Sequence, residues 1–237
     1  MTYDLSRIRH VVDADKFDGG IAVVGCGAIG SRVAHLLCDM GFGEKLCLYD
    51  PDVVEMHNLA SATYELSDIR TSSPYPKVAA LRYQLERKWG EPIRYSNTMR
   101  ITRRGQCGHK TVFTCLDSMA ERKKVMGTAL FLDGHAKWVY DARITATTIF
   151  AIGYDITDPK QHRHYMEELY DDPDPAQDAQ MGGCNQKTSV ASTAAIAASL
   201  VVQLFMNHVN KVDGPNEIVV SLRDWTMDAR FYEKTPE

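Results

Sequence analysis

Apolar residues along this chain arrive in short runs and helix-spaced series that alternate over its first half. The run Ile21–Val24 enters a turn punctuated by Gly25, Gly27 and Gly30, and a helical pattern continues to about Met40. A second apolar run, Leu46–Tyr49, ends at Asp50. The pattern predicts strand, tight turn, helix and strand, with an acid closing the second strand. Lys77 opens another helical run to about Trp89, with Val78, Leu81, Leu85 and Trp89 at helix-face spacing. The stretch from Ile93 to Ile101 alternates weakly, and Thr111 to Leu116 is a cleaner strand ending in Asp117 and Ser118.

Met119 to Leu130 reads as helix, Ala136 to Tyr140 starts a strand, and the β-branched and aromatic stretch Thr145 to Tyr154 is extended. A short helix is expected near Tyr165 to Tyr170, a long Ala-rich helix from Ser189 to about Val209, and a final strand at Glu217–Ser221 before a polar tail. Alternating strands and helices imply an α/β fold. The expected architecture is a Rossmann-like doubly wound mixed sheet, mostly parallel, with helices on both faces. One domain over residues 21–237 comes after an arm over residues 1–20. The arm is charged and partly helical, with Ile8, Val11, Val12 and Phe17 as apolar anchors, and Asp18-Gly19-Gly20 breaks it.

Two stretches interrupt the alternation. Pro51 to about Pro76 is a polar loop long enough to suggest a function. Asp155 to Gln180 carries Asp171, Asp172, Asp174 and Asp178 with Pro173 and Pro175, and reads as an exposed acidic loop.

Composition narrows the classes. A formal net charge of −4 over 237 residues gives no general attraction to nucleic acid or to an anionic membrane. The charged first twenty residues are no secretory signal, and Ala194 to Met206 is short for a membrane span, so a buried helix is expected there. The six cysteines (Cys26, Cys38, Cys47, Cys107, Cys115 and Cys184) contain no Cys-x-x-Cys pair, so no structural zinc is expected. Free thiols at buried positions suit a reducing compartment, the cytoplasm. His162 and His164, two apart on a helix, point to different sides and make a poor metal pair. His57 fits an exposed loop position, and Arg143 either meets substrate or pairs with Asp141.

The candidate chemistry starts in the glycine turn. Gly27 lets backbone approach a phosphate on a helix N-terminus, and Gly30 lets helix and strand close. Asp50 lies where a ribose-binding acid belongs. To this point NAD and ATP fit equally. Three segments farther along the chain separate them: Asp50-Pro-Asp52-Val-Val-Glu-Met-His-Asn58-Leu59, then Lys77 at a helix mouth, then Cys115-Leu-Asp117-Ser-Met-Ala-Glu-Arg122. Together these resemble the ThiF/MoeB-like adenylating enzymes, the superfamily that includes the ubiquitin-activating enzymes. The resemblance runs from the arm through the long helix after Cys184.

The resemblance implies a homodimer that uses ATP and Mg²⁺ to adenylate a carboxylate, most often the C-terminal glycine of a ubiquitin-like or sulfur-carrier protein. It implies that Gly25, Gly27 and Gly30 cradle the nucleotide and Asp50 takes the ribose. Asp52, Asn58, Lys77 and Arg122 line the site, and Asp117 helps hold Mg²⁺. An arginine of the arm, Arg7 or Arg9, would reach the partner's site, and Cys184 either accepts the activated carboxyl or is an idle thiol. Cys26 and Cys115 read as packing residues. One departure stands out. The family has an Arg-Gln pair after its Asn-Leu, and that arginine contacts the triphosphate; this chain has Ser61 and Ala62 there. Either another cation replaces it (Arg9, Arg70 and Arg82 are candidates), or the site is slower, or the chain binds nucleotide as an adaptor without adenylating. An NAD-dependent oxidoreductase rests on the first unit alone.

Overall fold

The computed structural model describes residues 4–70, 72–101, 107–130, 136–145, 147–169 and 190–232. Cys184 and the acidic run from Asp171 to Asp178 lie outside them. Within them the chain forms β1 (Ile21–Val24), α1 (Ala28–Asp39), β2 (Leu46–Tyr49), α2 (Lys77–Trp89), β3 (Tyr95–Asn97), β4 (Thr111–Thr114) and α3 (Met119–Lys124). A wider π turn over Val125–Leu130 continues α3. Then come β5 (Trp138–Ile144), β6 (Thr148–Asp155), α4 (Pro159–Glu167), α5 (Ala191–Val209), β7 (Glu217–Ser221) and β8 (Thr226–Arg230).

The strands form one sheet in the order β3-β2-β1-β4-β5-β6-β7-β8. From β3 to β5 every pairing is parallel; from β5 to β8 every pairing is antiparallel. Strand alternation sorts the side chains onto two faces. Ile21, Val23, Leu46, Leu48 and Phe113 pack with Val33 and Leu37 of α1, Leu81 and Leu85 of α2, and Ala197 and Val201 of α5. Ala22, Val24, Cys47, Tyr49 and Val112 pack with Met119 of α3 and Tyr165 of α4 on the other face. The mixed, doubly wound sheet with helices on both faces is therefore the observed fold. At the centre of the first face the Phe205 ring meets Phe42 at 5.2 Å, Phe17 at 5.4 Å, Phe113 at 5.6 Å and Tyr140 at 5.6 Å. Helix α5 is long and apolar enough to cross a membrane by length and composition, yet it packs on α1, β5 and β6 as a core helix.

Several elements differ from the pattern-based expectation. The helix expected near Tyr165 to Tyr170 starts earlier, at Pro159, because Asp158 caps it by accepting from the amides of Lys160 and Gln161. The polar tail contains β8, whose residues are all exposed and so carry no alternating apolar signal. The strand expected from Ile93 to Ile101 shrinks to Tyr95–Asn97. In the arm Val12 is buried and Ile8 and Phe17 pack against the core, but Val11 faces solvent.

The chain winds outward from β1 through β2 to β3, then returns to β4 on the other side of β1. Such a reversal opens a crevice at the carboxyl ends of the parallel strands, where ligands of open α/β sheets bind.

Candidate nucleotide-binding site

Three glycines shape the floor of that crevice, each for a different steric reason. Gly25 has φ +90°, and a Cβ there would fall 2.6 Å from the Cys115 carbonyl oxygen of the neighbouring strand end. A Cβ on Gly30 would fall 1.8 Å from the Gly25 carbonyl oxygen, so only glycine lets α1 close on the turn. A Cβ on Gly27 would meet nothing within 4 Å. Gly27 is the N-cap of α1 and supplies no capping side chain, so the first amides of the helix face open space. That is the geometry of an anion site on a helix N-terminus.

Asp50 is fastened to this turn. Its Oδ2 accepts from the Cys26 amide at 2.6 Å and its Oδ1 from the Asp52 amide at 2.8 Å. Burial pushes its pKa up, while Lys77 and the two amides pull the other way. Lys77 reaches the same place by a backbone tie. Val53 bridges Pro76, the Lys77 amide donates to the Asp52 carbonyl at 2.9 Å, and the Lys77 Nζ lies 3.0 Å from the Asp52 carboxylate. Burial works to lower the Lys77 pKa, but the charges of Asp50, Asp52 and Asp117 outweigh it and hold the pKa above its ordinary value. Lys77 is thus a protonated cation facing three carboxylates, and Asp117, just past β4, is among them.

The segment after Asn58 closes the rim. Asn58 is buried and its Oδ1 accepts from the Glu55 amide at 2.9 Å, so this carbonyl holds the short turn Met56–Ala60 in shape. Ser31 Oγ accepts from the Thr63 amide at 3.3 Å. The Tyr64 hydroxyl donates to the Cys26 carbonyl at 2.7 Å and lies 3.4 Å from the Lys77 carbonyl. Arg32 Nη1 donates to the carbonyls of Ala28 and Ser61. Neither Arg32 nor Tyr64 was legible as a site residue, because no local spacing ties residues 32 and 64 to the turn they support.

The other candidates sit elsewhere. Arg122 is buried, donating to Asp141 Oδ1 at 2.9 Å and to the Ala142 carbonyl at 3.0 Å. Arg143 holds the other oxygen of Asp141 at 2.7 Å, and the Tyr165 hydroxyl donates to that oxygen at 3.1 Å. Arg9 lies 3.4 Å from Asp15 on the exposed arm. The arm docks where the parallel strands begin: the Lys45 Nζ, just before β2, donates to the Phe17 carbonyl, and the Asn210 Nδ2 donates to the Val11 carbonyl. Arg9 therefore sits at the end of the sheet opposite Asp50, and an open cavity of about 910 Å³ lies there too, walled by Arg9, Trp138, His208 and Tyr232. Burial pushes the Cys26 thiol well up and the Cys115 thiol to about 12, as packing residues behave. His57 is exposed, 3.3 Å from Glu55. His164, Glu168 and Glu217 place ligand atoms within 4.8 Å of one another, but Glu217 is already engaged by Arg230 and Tyr232.

A glycine-floored crevice beside a helix N-terminus, rimmed by Asp50, Lys77 and Asp117, defines an α/β domain of nucleotide-binding type. The chain belongs to the ThiF family, whose model matches residues 15–235. Among solved structures it is similar to E. coli MccB with ATP, at 15% identity and TM-score 0.68, over 94% of this chain and 66% of that one. The microcin C7 biosynthetic enzyme MccB in complex with N-formylated MccA aligns at 15% identity and TM-score 0.69, over 94% and 67%. PaaA aligns at 15% identity and TM-score 0.70, over 98% and 76%. The chain thus spans about two thirds of the length of MccB. No curated protein matches it in sequence.

Proposed function

We propose that this chain is an ATP-dependent adenylyltransferase that activates a carboxylate, with the C-terminus of a peptide, ubiquitin-like or sulfur-carrier protein as the substrate class. One observation carries the reading: Asp50, Lys77 and Asp117 converge on the open N-terminus of α1. Family membership and the likeness to MccB structures, one of them with ATP, support it. A substrate carboxylate is ionised at neutral pH and needs no general base. Its oxygen attacks the α-phosphorus, the bond to the β-phosphate oxygen breaks, and an acyl-adenylate and pyrophosphate result. Lys77 and the α1 amides stabilise the charge that builds on the phosphoryl oxygens. Asp117 and Asp52 are exposed carboxylates of the kind that hold Mg²⁺ together with phosphate oxygens, and the ion would neutralise further charge there.

In this reading the chain works as a homodimer in the cytoplasm. Arg9, at the end of the sheet opposite Asp50, would serve a nucleotide across an interface, with Arg7 as the alternative. The test is ATP–pyrophosphate exchange with candidate carriers and peptides, repeated with Asp117→Ala. Carrier-dependent exchange that falls roughly a hundredfold or more in the variant is expected. Exchange indifferent to Asp117→Ala would sink its metal role. A second reading, a nucleotide-binding adaptor, is favoured by Ser61 and Ala62, and ATP binding without exchange on any partner would select it.

A further inference from the structure

We infer that Arg32 is the cation that meets the outer phosphates of the bound nucleotide, delivered from α1 to the place where residue 61 supplies none. The inference rests on the nucleotide reading above and adds a phosphate-contacting residue to it.

Arg32 is the fifth residue of α1, and its guanidinium turns back along the helix toward the first turn. Nη1 donates to the carbonyls of Ala28, the first helical residue, and of Ser61, on the rim segment. The charge therefore stands on the flank of the first helical turn and within bonding distance of the residue 61 backbone. The rim segment it bonds also reaches the Lys77 backbone carbonyl through Tyr64. Ser31 ties to Thr63, and Tyr64 ties to both Cys26 and Lys77, so residues 61–64 run between the helix start and the lysine.

The other candidate cations are already matched, whether at the crevice or away from it. Lys77 faces Asp52 at 3.0 Å, Arg82 faces Glu86 at 2.7 Å, Arg9 faces Asp15 at 3.4 Å, and Arg70 lies 3.8 Å over the Tyr75 ring. Arg32 is half-buried, and no carboxylate among the described residues lies within ion-pairing distance of it. Burial lowers its pKa and no opposite charge offsets that. A partly desolvated cation next to the positive end of a helix dipole is an unfavourable pair of like charges. An anion placed between them relieves both. Nη1 alone serves the two carbonyls, so among the described residues Nε and Nη2 keep the donors that phosphate oxygens take in pairs.

The experiment compares Mg²⁺-ATP and AMP binding by calorimetry in the full chain, with melting temperature as a folding check. Arg32→Ala is expected to weaken ATP by about ten- to a hundredfold, the range of a charge-assisted contact, and to leave AMP within about twofold. Arg32→Lys, which keeps the charge without the fork, is expected to fall between. Adding Ser61→Arg to Arg32→Ala is expected to restore ATP affinity. ATP and AMP weakening together, with a lower melting temperature, would show a loop tie only and overturn the inference. ATP binding unchanged in Arg32→Ala would also overturn it. An unaltered chain that binds ATP but performs no exchange removes adenylation alone; one that binds no ATP removes both readings.

Discussion

Two clusters of carboxylates and cations, one including Asp117 just past β4 and the other Arg122 of the following helix α3, are built on opposite terms. In the buried one, Asp141 has both oxygens taken by Arg122 and Arg143, and Tyr165 adds a third donor. Every group there is inside the protein, and geometry leaves that carboxylate no room for a ligand. In the crevice, Asp50 is buried and bonded to backbone, but Lys77, Asp52 and Asp117 meet at a surface open to solvent. The same residue types thus serve two ends. Where the ion pairs are closed on themselves they fix the packing of β5 on α3 and α4; where they are left open at a helix N-terminus they await an outside charge.

The contrast between the clusters is tested most severely at Asp141. Asp141→Ala strands two buried guanidiniums and is expected to cost about 3–5 kcal/mol of unfolding free energy in urea titration. Lys77→Met, which keeps the aliphatic stem, is expected to do the reverse. Pyrophosphate exchange falls by about a hundred- to a thousandfold, roughly 2.7–4 kcal/mol of transition-state stabilisation, while unfolding shifts by about 1 kcal/mol or less. Equal stability losses in the two variants would erase the distinction.

A smaller effect lies in acid. Burial alone pushes the Asp141 carboxyl up, but Arg122 and Arg143 more than reverse it and leave its pKa below the ordinary value. A carboxylate depressed on folding contributes stability above its unfolded pKa and loses it as pH falls through the folded one. The urea midpoint is therefore expected to drop as pH falls below about 4, and the drop is expected to be shallower in Asp141→Asn.

Much of the fold could be read from local pattern, and particular elements show why. The bounds of α2 come from Pro76 before Lys77 and from Gly90, which takes φ 78° after Trp89. β1, β2 and β4 are buried apolar runs between turns and stand where the runs stand. β8 escaped because an exposed edge strand carries no burial signal, and the start of α4 did because its signal lay in the cap at Asp158 rather than in apolar spacing. Site residues divide in the same way. Asp50 and Gly30 obey steric and spacing rules within one unit. The placement of Arg122 beneath the surface against Asp141, and of Arg32 against Ser61, depends on contacts between residues 19 and 29 positions apart. No periodicity records those.

Tyr64 carries a consequence for how this protein can vary. Its hydroxyl spans from the Cys26 carbonyl to the Lys77 carbonyl, and burial keeps it un-ionised by pushing its pKa well up. The gap between the glycine turn and the lysine is therefore gauged by this rigid side chain together with the backbone tie of Lys77 to Asp52, not by the course of the loop between them. That loop can gain or lose residues between these ties and still return Lys77 to the same spot, which leaves it free to diverge while the glycine-turn end of the crevice keeps its dimensions.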